Sequence, residues 1–134
     1  MRTALLLISM LAFADPAADV LNVFSAAAEA LTNDDSAAFL DHFDRGMPDY
    51  AALRENIEGL LAAYEVGSTI EVITDEGTDE KRMVALDWLL VTSEKNALSG
   101  NPQTRRSIVK CTLERQGKQW RITALDPITF FKIN

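Results

Sequence analysis

The sequence predicts an α+β domain in which helices lie on an antiparallel sheet. Up to Val66-Gly67 the apolar residues recur at helical spacing, and beyond that point they alternate with the period of two that strands require. A helical first half followed by a run of long strands is the pattern of helices segregated to one face of a sheet. At 134 residues the chain is one domain, long enough to bury a real core.

Residues 1–14 differ in character from the rest of the chain. Met1-Arg2-Thr3 is a short positive start, Ala4 to Leu11 is apolar, and Ala12-Phe13-Ala14 has the A-x-A form of a cleavage site. The segment is too short to cross a bilayer as a helix. It is expected to be a signal peptide, leaving residues 15–134 as a single domain, exported to the periplasm or secreted, with no stable membrane span.

Asp15 can cap a first helix, with Pro16 at the position where a missing N–H costs nothing. Val20, Phe24, Ala27, Ala28 and Leu31 line one face, opposite Asp19, Asn22, Ser25 and Glu29. Thr32-Asn33-Asp34-Asp35 stops that helix and caps a short second one carrying Phe39, Leu40 and Phe43. Asp44-Arg45-Gly46 ends it, and Pro48 opens a third. There Tyr50, Leu53, Ile57, Leu60, Leu61 and Tyr64 form an apolar stripe, with Asp49, Arg54, Glu55 and Glu58 on the other side.

Four strands are expected next: Ser68 to Thr74, Lys81 to Thr92, Thr104 to Arg115 and Lys118 to Leu125. The acidic run Asp75 to Glu80 reads as the first loop and Gln116-Gly117 as a tight hairpin. Asp126-Pro127 ends the ladder, and Ile128, Phe130 and Phe131 form an apolar tail returning to the core. In the second strand both faces are apolar: Val84, Leu86, Trp88 and Leu90 on one, Met83, Ala85, Leu89 and Val91 around Asp87 on the other. Helices can cover one face. The other calls for a second subunit, so the expected partner is a second copy, a homodimer formed through the sheet face.

Composition narrows the function. A net charge of −7 argues against a nucleic-acid partner, because phosphate binding depends on clustered Lys and Arg. With one cysteine, Cys111, and one histidine, His42, neither an intramolecular disulfide nor a Cys/His zinc site can form. The acidic loop lacks EF-hand spacing. No phosphate-cradling glycine loop or nucleophile elbow is present, and neither a metal nor a cofactor is expected.

The element order, and the ending Gly117-Lys118-Gln119-Trp120-Arg121-Ile122, resemble the NTF2-like (cystatin-like fold) superfamily over roughly Pro16 to Phe131. The resemblance implies a cone, a curved sheet wrapped on helices with a pocket at its open end, often paired through the sheet. The superfamily includes ketosteroid isomerase, scytalone dehydratase, limonene epoxide hydrolase and polyketide cyclases, besides many non-catalytic domains. Enzymatic members usually place a short polar strand between the second and third helices; here Phe43 to Tyr50 leaves no room for it. No catalytic motif of those enzymes maps onto this chain.

The expected role is therefore non-catalytic: binding a small apolar ligand between helices and sheet, or association. Tyr50, Tyr64, Trp88, Phe39 and Phe43 are the expected pocket-lining residues. The alternative is a cofactor-free isomerase, dehydratase or cyclase with Asp87 or Asp126 as general base. Asp87 sits between Ala85 and Leu89, where desolvation would raise its pKa. Pairing with Lys110 or Arg121 would instead make it structural. Cys111, between Val109 and Leu113, reads as a small buried hydrophobe. Mass spectrometry of the protein from its native host should find an N-terminus at Asp15; an intact Met1 would refute cleavage there.

Overall fold

The computed structural model describes residues 15–96 and 100–133. The expected signal peptide, residues 1–14, lies outside the described residues. Helix α1 spans Pro16–Thr32, and the Asp15 carboxylate accepts the N–H of Ala17 at its start. It buries Val20, Phe24, Ala27, Ala30 and Leu31, so Ala30 takes the inward place expected for Ala28. Asp34 adopts a φ of 59°, a left-handed turn that Asp tolerates, and this folds the chain back within three residues. Helix α2, Ser36–Leu40, then begins with the Asp35 carboxylate accepting from the N–H of Ala38 at 3.0 Å.

Helix α3 runs Tyr50–Ala63 and buries Leu53, Ile57, Leu60 and Leu61. It begins two residues beyond Pro48. Tyr64, expected to finish the stripe, is already extended, and the strand rhythm starts there rather than at Val66-Gly67.

The strands are β1 (Tyr64–Gly77), β2 (Lys81–Glu94), β3 (Gln103–Gln116) and β4 (Gln119–Asp126). They form one antiparallel sheet in the order β1-β2-β3-β4. Strand β1 continues through Asp75 and Glu76, where the sequence pattern predicts a loop. The reason is electrostatic: the Arg82 guanidinium bonds the Asp75 carboxylate at 2.9 Å, so this acidic residue stays in the ladder neutralised by its cross-strand neighbour. Register shifts between Val72 and Thr74, and at Thr112/Leu113, bend the sheet. Gly117 supplies the positive φ, 65°, that the first central position of the β3–β4 turn requires.

In place of a strand between α2 and α3 there is a single parallel bridge, Phe43 to Ile122. The N–H of Ile122 donates to the His42 carbonyl at 2.8 Å and the N–H of Asp44 donates to the Ile122 carbonyl at 2.9 Å. After β4 a 3-10 turn, Ile128–Phe131, packs against α3. Arg105 ties it down by donating to the carbonyls of Phe130 (2.6 Å) and Lys132 (2.9 Å), and Asn56 donates to that of Ile128. No helix among the described residues is long and apolar enough to cross a membrane.

The core lies between the helices and the inward rows of the sheet. Val84, Leu86, Trp88 and Leu90 of β2 face it, with Val109, Cys111 and Leu113 of β3 beside them. Fully buried Phe131 joins that row from the C-terminal turn, its ring centroid 5.1 Å from that of Trp88 and 5.6 Å from that of Phe39. Phe131→Ala should cost about 3–5 kcal/mol in urea unfolding, as for large aromatic truncations in a core; a loss below about 1 kcal/mol would show that the turn is not part of the cooperative core.

Candidate functional site

Inside the cone, rings occupy the space where a pocket was expected. Phe39, Phe43 and Trp88 are buried and in contact, with centroids 5.1 Å apart for Phe39–Phe43 and 6.2 Å for Phe39–Trp88. Phe130 and Phe131 also pack against Trp88, at 6.1 and 5.1 Å, and Phe131 lies 5.6 Å from Phe39. The tilted and edge-on geometries are those that aromatic quadrupoles favour. The Trp88 indole N–H donates to Ser68 Oγ at 2.8 Å, so it offers no free donor to a ligand. Phe39, Phe43 and Trp88 are thus core residues and not the pocket lining expected of them. The physical reason is the C-terminal turn, which delivers two further rings into the hollow.

The two tyrosines stay on the helix side of the sheet, half-buried against the core. Tyr50, at the start of α3, lines a shallow groove of about 310 Å³ with Leu40, Arg45 and Arg54. Tyr64 begins β1 in the same inward row as buried Val66.

The candidate carboxylates lie on the opposite, outer side. In β2 the inward row has even numbers, so Asp87 points outward with Met83, Ala85, Leu89 and Val91. Its partner is neither Lys110 nor Arg121 but Arg106, whose Nε donates to Asp87 Oδ1 at 2.9 Å while Nη2 donates to Oδ2. Asp87 is in register with Ile108, and Arg106 is the diagonal neighbour two positions along β3, a pairing readable only once register is known. Arg121 is used elsewhere, donating to the Asp41 carbonyl and to Gln119 Oε1.

Arg106 also sets the electrostatics at this position. Its hydrogen bond holds the Asp87 carboxyl below its ordinary pKa, outweighing the small opposing effect of burial, and the guanidinium charge adds to it. The pKa-raising desolvation expected at this position does not prevail, and a general base poised near neutrality is absent here. Because the folded pKa is the lower one, the pair adds stability above the unfolded carboxylate pKa. That contribution is lost as the pH falls through the folded value.

Asp126 faces outward too, opposite Lys110 in the ladder. With Met83, Ala85 and Lys110 it borders a trough of about 330 Å³ on the outer face. Neither Asp87 nor Asp126 converges with a tyrosine, since the sheet itself lies between them. His42, just past α2, is half-buried, and desolvation lowers its pKa. Asp41 opposes that shift and Arg121 reinforces it. Burial pushes the Cys111 thiol well up, so it is an inert core group. Among the described residues no group of His, Cys, Asp and Glu is arranged to hold a metal ion.

No protein-family model matches the chain, and no curated protein matches it either. Solved structures do. A scytalone dehydratase candidate from Novosphingobium aromaticivorans superposes with a TM-score of 0.70 at 11% identity, over 92% of this chain and 85% of that one. A dehydratase candidate of the NTF2-like family from Streptomyces avermitilis gives 0.66 at 12% identity, over 81% and 92%. A hexachlorocyclohexane dehydrochlorinase, LinA type 2, gives 0.62 at 12% identity, over 81% and 80%. This chain has the NTF2-like fold: three helices on a curved, open, four-stranded antiparallel sheet. At these identities the likeness concerns the fold alone.

The Asp87–Arg106 pair can be checked directly. Carboxyl-detected NMR titration should give Asp87 a midpoint below that of exposed aspartates, and Arg106→Ala should bring it back up to theirs. An Asp87 midpoint above that range in the unmodified protein would refute the ion-pair assignment.

Proposed function

We propose that this chain is a non-catalytic association module that pairs with a second copy of itself through the outer face of its sheet. The observation that carries the reading is a contrast between two faces. The inner face is filled by its own aromatic rings, whereas the outer one leaves Met83 62% and Ile108 50% exposed beside Ala85, Leu89 and Val91. A lone exposed apolar residue needs no explanation; several on one face of adjacent strands mark an interaction surface.

The chemistry of that face suits self-association. At its centre the Asp87 and Arg106 charges cancel each other, and Lys110 stands opposite Asp126 in the ladder, so much of the charge on this face is balanced within one copy. Three strands of 14 residues and one of eight give a face on the order of 800 Å² at ~3.3 Å per residue and ~4.8 Å per strand. That is about the area per partner of a standard stable interface. The reading includes export, with residues 1–14 as a cleaved leader and 15–134 as the working domain.

The packed cone weighs against an apolar ligand between helices and sheet. The outward placement of Asp87 and Asp126 likewise weighs against a carboxylate-based isomerase or dehydratase. Light scattering on residues 15–134 at micromolar concentration should give the mass of a dimer. The double variant Met83→Lys, Ile108→Lys should give a monomer with an unchanged circular dichroism spectrum. A monomeric unmodified protein would sink the proposal.

A further inference from the structure

A second surface carries chemistry unrelated to the outer face. Around the β3–β4 hairpin, Arg115, Lys118 and Arg121 stand at the rim of a groove of about 690 Å³, closed on the far side by α1 and the end of α2. This is a concentration of cations in a chain of net charge −7. The groove falls within the size range of small-molecule sites. Its walls include Val23 of α1 and Trp120, whose indole N–H donates to Asp19 Oδ2 at 3.3 Å.

The charges in the groove do not balance. Arg121 is held by the Asp41 carbonyl and lies 3.9 Å from its carboxylate, so those two charges offset each other. Arg115 and Lys118 have exposed side chains, and among the described residues neither makes an ion pair. Only Asp19 remains on the negative side, which leaves one positive charge over. His42, on the same wall, has its pKa lowered by burial, which works against a further positive charge there.

We propose that this groove binds an organic monocarboxylate, with the carboxylate held by Arg115 and Lys118 and an apolar body laid against Val23 and Trp120. A single negative charge matches the surplus. A phosphate dianion would carry a second charge facing Asp19 and Asp41 with nothing to offset it. The planar guanidinium of Arg115 suits the two oxygens of a carboxylate, and Lys118 adds a mobile point charge from the turn. The apolar part of the wall, half-buried Val23 and the exposed edge of Trp120, gains from displaced water and so favours an acid with an apolar body.

Proton–nitrogen NMR titration of residues 15–134 with sodium benzoate at low ionic strength tests this. The expected result is a saturable shift of the Trp120 indole N–H and of the Gly117 and Lys118 amides, with the Trp88 indole unmoved as an internal control. Arg115→Gln combined with Lys118→Gln should weaken binding roughly tenfold or more, the effect of removing charge-assisted hydrogen bonds. An unchanged Trp88 indole signal will show that the variant is folded. Three results would overturn the proposal: no localised shift, equal affinity in the double variant, or inorganic phosphate binding as tightly as benzoate at the same residues. None of the groove's lining residues belongs to the Met83–Ile108 surface, so the outcome is read separately from whether the chain dimerises.

Discussion

Five aromatic rings meet between the helices and the sheet, and the chain brings them there from three separate places. Phe39 and Phe43 come from α2 and the link after it, Trp88 from the middle of β2, and Phe130 and Phe131 from the turn after the last strand. Each ring is worth roughly 1.5–3 kcal/mol in apolar area withdrawn from water. Contact between them adds about 0.5–1.5 kcal/mol per well-placed pair. The C-terminal turn is what completes the set, and backbone clamps from Arg105 and Asn56 hold it in place.

Those rings fill the space between the helices and the inward rows of the sheet. The two surfaces proposed for recognition lie on the exterior and differ in character. The outer sheet face carries apolar side chains around the Asp87–Arg106 ion pair, with Glu71, Lys110 and Asp126 on the same side. The hairpin end is polar and carries a local surplus of positive charge. The two regions draw on different parts of the same strands, so a single curved sheet supplies both without either intruding on the core.

Much of the architecture was legible because periodicity is a local property. The stripe Leu53, Ile57, Leu60, Leu61 required nothing beyond helical spacing, and the burial of Val84, Leu86, Trp88 and Leu90 came from alternation. The errors fell where a distant residue settled a local choice. Asp75 and Glu76 look like loop residues until Arg82, diagonal to Asp75 on β2, is placed. Tyr64 fits the helical stripe as well as the strand; its pairing with Glu94 draws it into the sheet. Asp87 looks like a desolvated acid among apolar neighbours along the strand, yet its environment is set by a guanidinium one strand away and two residues out of register.

By itself the sequence determined that helices precede strands, which residues of the main stripes face inward, that β2 is apolar on both sides, and that its one cysteine has no second within the chain for an intramolecular disulfide. These depend on spacing and residue type, which act within a few residues. Only the tertiary structure decided whether the cone is hollow and where its carboxylates point. Volume is filled by rings distant in sequence, and the pKa of a carboxyl responds to charges across the sheet as strongly as to its own strand. The same limit applied to the groove at the hairpin, because Val23, His42 and Arg115 come together only when the chain has closed on itself.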